Sequence, residues 1–247
     1  MSDVLIERTG AITSIILNRP AKMNALTRAM YKTMADSLNE SAVSSETSVV
    51  IIEANGDHFT GGNDISDFLN NPPLEDGSEV WQFIKALHEF PKIVIVAIQG
   101  NAIGIGTTMV MHCDFAYASP STSFRMPFVN LGLVPEFGSS HLFPKSIGHR
   151  RAAEILLLGR SFTATEALEW GVINDEVEDP RKRAREIAKE IAELPPNALI
   201  QSKSLMKSPD HERLNVIMQA EGDLFMRALT SEEAQSAFMN YLMRKGT

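Results

Sequence analysis

The chain has one cysteine, Cys113, in 247 residues, which excludes an intramolecular disulfide. Cys113 flanks an apolar run, the setting of a structural thiol rather than a nucleophile. Basic residues are in deficit, 23 Lys and Arg against 31 Asp and Glu. The resulting net charge of −8 argues against nonspecific nucleic-acid binding, although a local basic patch for a phosphorylated ligand is compatible with it. A membrane-length apolar run is missing. The longest candidate, residues 93–111, is broken by Gln99, Asn101, Thr107, Thr108 and three glycines, so it is expected to be a strand, a turn and a helix. Met1-Ser2-Asp3-Val4-Leu5 lacks the basic and apolar parts of a signal peptide, and Arg244-Lys245-Gly246-Thr247 is not a Ser-Lys-Leu address, so a cytoplasmic protein is expected. The six histidines show neither His-Glu-x-x-His spacing nor a Cys/His pairing, so no metal site is expected. No Gly-x-Ser-x-Gly elbow and no Gly-Lys-Ser/Thr phosphate loop occurs.

What is present suits a packed α/β protein. Hydrophobic residues make up 44% and charged residues 22%, and the length allows one large domain or two small ones. Residues 4–8 and 12–17 read as strands joined by a Thr9-Gly10 turn. A helix is expected over 26–42 with Thr27 as N-cap and Met30, Met34 and Leu38 on one face. Buried strands are expected over 48–54 and 93–98, both apolar on alternate and intervening positions. A helix over 78–90, another over 107–112 and short strands over 115–118 and 123–125 complete this part. Helices then follow over 139–147, 149–158, 163–170, 180–194, 197–206, 211–229 and 231–244. This order predicts an α/β core followed by a helical C-terminal region, with the polar stretch 70–77 as a candidate flap.

Three segments could carry chemistry. Phe59-Thr60-Gly61-Gly62-Asn63-Asp64-Ile65 follows a buried strand; its glycines would let backbone N–H groups approach a ligand, or simply form a turn. The segment from Gly100 to Thr108 also follows a buried strand and opens a helix. It could hold an oxyanion on free N–H groups or be a close-packed turn. A dinucleotide site does not fit, because the third glycine of Gly-x-Gly-x-x-Gly would fall at Met109. Glu136 is the only charge between Phe128 and Gly138. It could be a buried carboxylate with a raised pKa that moves a proton, or a helix-start carboxylate favouring the dipole of the helix near Gly138. His58 reads as a turn residue beside the first loop, and Arg181-Lys182-Arg183 as a solvated helix face.

These motifs in this order resemble the crotonase superfamily, the enoyl-CoA hydratase/isomerase family, over essentially the whole chain. The resemblance is carried by Leu17-Asn18-Arg19-Pro20-Ala21-Lys22-Met23-Asn24-Ala25-Leu26, the Phe59–Ile65 loop and the strand from Pro91 into Gly100. It continues through Cys113-Asp114-Phe115-Ala116-Tyr117-Ala118 and the segment from Gly159 to Ala167. It implies an α/β fold, a crotonase-like spiral of ββα units over 1–195 with a helical trimerisation region over 196–247, and a homotrimer or dimer of trimers. It also implies an acyl-CoA thioester as substrate, with no metal or redox cofactor and no nucleic-acid or membrane partner. Matching its motifs places two oxyanion-hole donors at the backbone N–H groups of Gly61 and Ile105. Lys22, Met23 and Ala25 match the segment lining the adenine and phosphate end of CoA, and Thr60, Gly61, Gly62, Asn63, Asp64 and Ile65 match the substrate loop.

The departures narrow the chemistry. Hydratases of this family use two glutamates; Thr108 and Phe128 stand at the matching places. Instead, Leu131-Gly132-Leu133-Val134-Pro135-Glu136-Phe137-Gly138, Phe143-Pro144-Lys145 and Leu194-Pro195-Pro196-Asn197-Ala198-Leu199 resemble the peroxisomal-type Δ3,Δ2-enoyl-CoA isomerases. That subgroup's single catalytic glutamate maps onto Glu136. The resemblance therefore implies transfer of a double bond in 3-enoyl-CoA to give 2-enoyl-CoA, as in fatty-acid β-oxidation. The alternatives are a hydratase-type or other crotonase-family acyl-CoA enzyme, or a noncatalytic acyl-CoA-binding protein.

Overall fold

Two strands that are buried along their whole length organise the molecule, β3 and β4 below. Side chains alternate across a strand, so each of these strands must be covered on both faces. In the computed structural model, which describes residues 2–73 and 77–245, both faces are covered. The chain runs β1 (Val4–Thr9), β2 (Ile12–Leu17), α1 (Arg28–Val43), β3 (Val49–Ala54), α2 (Ile65–Asn70), α3 (Glu79–His88) and β4 (Ile93–Ile98). Next come β5 (Asn101–Ile103), α4 (Ile105–Thr108), β6 (Phe115–Ala118), β7 (Ser123–Arg125), α5 (Ser139–Ile147), α6 (His149–Leu158) and β8 (Ser161–Thr163). It ends with α7 (Ala164–Glu169), β9 (Asp175–Glu176), α8 (Pro180–Ala192), α9 (Pro196–Lys207), α10 (His211–Leu229) and α11 (Glu232–Lys245).

The main sheet has the order β1-β2-β3-β4-β6-β9, antiparallel at the β1–β2 hairpin and parallel from there on. After each main-sheet strand the chain makes a second, shorter pairing: Leu26 bridges Asn63, Thr60 bridges Ala102, and β5 pairs with β7, which pairs with β8. One long and one short stretch per turn is the ββα spiral that the sequence suggests. On one face of the main sheet Val50, Ile52, Val94, Val96 and Ile98 join the large core with Met30, Tyr31, Met34 and Leu38 of α1. On the other face Val49, Ile51, Ile93, Ile95 and Ala97 meet Ala184, Ala188 and Ile191 of α8.

The expected long elements are present within a residue or two, and Thr27 caps α1 by accepting from the Met30 N–H at 3.3 Å. Five elements depart from expectation. α2 forms where no element was expected, because the Asp64 carboxylate accepts from the Ser66 and Asp67 N–H groups and caps it. β5, β8 and β9 are two or three residues long and exist through tertiary pairing alone. The helix expected over 107–112 opens two residues earlier, at Ile105, and tightens to a 3₁₀ turn over Met109–His112. Of the candidate flap, α2 takes Asn70 and Pro73 faces a cavity, while residues 74–76 lie outside the described residues. Among the described residues no helix is long and apolar enough to cross a membrane.

The helices after residue 195 are joined to the core by specific contacts. Lys203 of α9 donates to the Asp114 carboxylate at 2.6 Å, and Asp114 in turn accepts from the Val94 N–H at the start of β4. Leu214, Met218 and Glu221 of α10 and Ala234 and Phe238 of α11 are buried.

Candidate active site

Glu136 is buried, 9% exposed, at the wall of an apolar cavity. Its Oε1 accepts from the Thr108 Oγ1–H at 2.5 Å, the length of a charge-assisted bond. Burial pushes its carboxyl up to about 8; the Thr108 bond works against that rise and the Glu221 charge adds to it. A carboxyl near neutrality can both take and return a proton. α4, which carries Thr108, packs against the Thr60 loop through Gly106. A Cβ on Gly106 would lie 2.4 Å from Thr60 Cγ2, so no side chain fits there.

The two readings left open for Glu136 separate here. The carboxylate at the start of α5 is Glu221, from α10, which accepts from the Gly138 N–H at 2.5 Å and the Ser140 N–H at 2.9 Å. Glu136 is thereby left to face the cavity. Between the two, Phe137 and Gly138 both take left-handed φ values of 56° and 71° and turn the chain sharply. For a phenylalanine that conformation needs an anchor. His112 supplies it, stacking on the Phe137 ring with centroids 3.8 Å apart and donating Nε2–H to the Phe137 carbonyl at 2.7 Å. Burial holds the His112 imidazole well below its ordinary pKa, so it stays neutral for this role.

The placement of the expected oxyanion donors needs one correction. The Gly61 N–H donates to the Met23 carbonyl at 2.7 Å, so it is committed to the backbone and is not a free donor. The Gly62 N–H is held at 3.1 Å by Thr60 Oγ1. Asn63 has no partner for its N–H among the described residues, and it lines the cavity as Gly61 does not. Ile105 does line the cavity, and as the first residue of α4 its N–H has no intrahelical acceptor. Asn63, Ile105 and Glu136 thus converge on one space. Tyr31, 0% exposed, lines it too and donates its hydroxyl to Asn63 Oδ1. Burial, and after it the Glu136 charge, raises the Tyr31 phenol well above its ordinary value.

The other expected residues shape the loop around this centre. Thr60 is buried and donates to the Asn24 carbonyl at 2.7 Å. Asp64 pairs with Arg19 at 2.6 Å besides capping α2, and Ile65 opens that helix. Lys22 is exposed at the end of the 3₁₀ turn Pro20–Lys22, Met23 follows with a left-handed φ of 51°, and Ala25 is half-buried with its carbonyl on Arg19. His58 is a structural residue, its Nδ1 accepting from the Asn101 N–H at 3.2 Å. Arg181 is not a solvated helix face: it grips the Glu53 carboxylate at 3.0 Å.

Residues 7–246 match the family described as Enoyl-CoA hydratase/isomerase. The chain belongs to this family. A human relative named Enoyl-CoA delta isomerase 2 is 32% identical over 251 residues; the match takes in 98% of this chain and 64% of that protein, so the chain spans less than two thirds of its length. A 2,3-dehydroadipyl-CoA hydratase from Escherichia coli is 26% identical over 99% of this chain and 97% of its own. Among solved structures, one described as Pseudomonas aeruginosa OdaA is 44% identical with a TM-score of 0.95, covering 98% of this chain and 99% of that one. The family therefore includes both isomerase and hydratase relatives of this chain.

The sequence did not point to Tyr31, Glu221, Phe137 or the unpartnered N–H of Asn63. Glu221 carried a legible sign: it falls on the helical stripe of Leu214, Met218 and Phe225, where a carboxylate needs a buried partner. The apolar wall formed by Trp81, Met218, Phe225 and Leu229 brings together α3 and α10, which are far apart in sequence.

Proposed function

We propose that this family member is a Δ3,Δ2-enoyl-CoA isomerase. The observation that carries this reading is that Glu136 is the only carboxylate lining the cavity among the described residues, with Thr108 at the place of a hydratase glutamate. The thioester oxygen would accept from the Asn63 and Ile105 N–H groups. Ionised Glu136 takes a proton from C2, the resulting dienolate is held by those two donors, and the protonated acid returns the proton to C4. One carboxylate serves because the proton is moved and none is gained or lost. The acyl chain lies along the apolar wall of Trp81, Phe225 and Leu229, and the CoA part leaves past Met23 and Ala25 toward Lys22. Each hydrogen-bond donor to such an oxyanion is worth about 100- to 1000-fold in rate.

The deciding experiment is conversion of 3-hexenoyl-CoA to the 2-isomer by wild type and E136Q. The variant is expected to lose at least about 1000-fold in kcat while still binding the ester. Activity retained in E136Q would overturn the assignment. Because a hydratase is also among the relatives, crotonyl-CoA hydration is the control, and wild type is expected to show none above background. The trimer implied by the resemblance is likewise our proposal; Leu205 and Met206 on α9, 76% and 83% exposed, favour assembly through the C-terminal helices.

A further inference from the structure

We propose that Thr108 is a positioning residue that ties down one oxygen of Glu136 in both of its charge states, leaving the other as the sole oxygen that exchanges a proton with the substrate. The inference rests on the isomerase reading above for its consequence and on geometry for its content. Thr108 is 0% exposed, and its hydroxyl has two oxygens in reach, Glu136 Oε1 at 2.5 Å and the Ile105 carbonyl at 3.4 Å. A hydroxyl has one proton and two lone pairs. When Glu136 is ionised, the Thr108 proton points at Oε1. When Glu136 carries its proton on Oε2, the same bond persists. Were the proton on Oε1, Thr108 would have to accept it and turn its own hydrogen to Ile105, over a bond too long to be strong. The acid form is thus biased toward Oε2, the oxygen that Thr108 does not hold.

The proton then leaves C2 for Oε2 and returns from Oε2 to C4, while Thr108 keeps its own hydrogen throughout. The other groups facing Glu136 cannot take this part. Tyr31 of α1 is committed to Asn63, and Glu221 of α10 to the start of α5. His112 donates to the carbonyl of Phe137 and stays neutral.

The test follows the protonated carboxyl stretch of Glu136 by infrared titration, identified as the band missing in E136Q, in wild type, T108S, T108V and T108A. Removal of the hydroxyl in T108V and T108A is expected to raise the midpoint by about one pH unit. It should also lower kcat about 10- to 100-fold at neutral pH with KM within about twofold, as for loss of a hydrogen bond to a charged group. T108S is expected to restore the wild-type midpoint. A midpoint in T108V and T108A equal to that of wild type overturns the proposal, as does a T108S midpoint displaced as far as theirs, which would mark a packing role. T108A and T108S decide the matter if T108V does not fold. The band reads Thr108 without any turnover, so failure of the isomerase assay would sink the functional reading and leave this one to its own result.

Discussion

Glu53 in β3 is 0% exposed with the guanidinium of Arg181 at 3.0 Å and that of Arg185 at 2.6 Å. Glu136 is 9% exposed with a hydroxyl at 2.5 Å and no cation among its described partners. Burying a carboxylate is costly in either place. At Glu53 two arginines of α8 offset that cost, and the ion pairs fix the helix to the sheet. At Glu136 the cost is left standing, and it appears as a carboxyl raised to about 8. The contrast shows how one buried residue type becomes either a fastening or a carboxyl with a raised pKa: the presence of a counter-charge decides which.

Removing the counter-charges should turn the first site toward the second. R181A/R185A leaves Glu53 buried and unpaired, and the double variant is expected to lose about 3–5 kcal/mol of stability, read from urea denaturation at pH 7. E136Q should move stability the other way. The folded-state pKa of Glu136 lies above its unfolded value, so the native protein binds the extra proton between about 4.5 and 8 and wild-type stability falls as pH rises through that window. E136Q is expected to abolish this slope. It would match wild type near pH 4 and exceed it above pH 8 by an amount on the order of a few kcal/mol, measured by thermal melts across pH. An advantage that is the same at both ends would break the comparison. The smallest effect is expected from E221Q. It removes the charge that helps raise Glu136 and should lower the acid limb of the isomerisation profile by less than about one pH unit, at a stability cost of about 1 kcal/mol at the start of α5.

Much of the fold was legible because its determinants are local. The continuous apolar runs of β3 and β4, the Thr9-Gly10 turn and the four-residue spacing of Met30, Met34 and Leu38 each specify an element from within. β5, β8 and β9, of two or three residues, were not legible, although β7 of three residues was. The same division runs through the site. Glu136 stood out as a lone charge in an apolar segment. The donor expected at Gly61 is not free, because its N–H is taken by Met23, 38 positions earlier, and no motif in the loop records that bond. Nor could the segment say that Glu136 was free of the helix start, which depended on Glu221, 85 positions later.

The roof of the cavity belongs to α10, whose Met218, Phe225 and Leu229 face Glu136 across it. Synthesis on the ribosome proceeds from the N-terminus, and chains begin to fold in that order. A nascent chain that has emerged as far as α9 already contains Glu136, Thr108 and both loops, but none of those three apolar side chains nor the carboxylate that steadies the turn after Phe137. The enclosure that raises Glu136 forms only when the last helices arrive. Before α10 docks, Glu136 lacks part of the enclosure that raises its carboxyl.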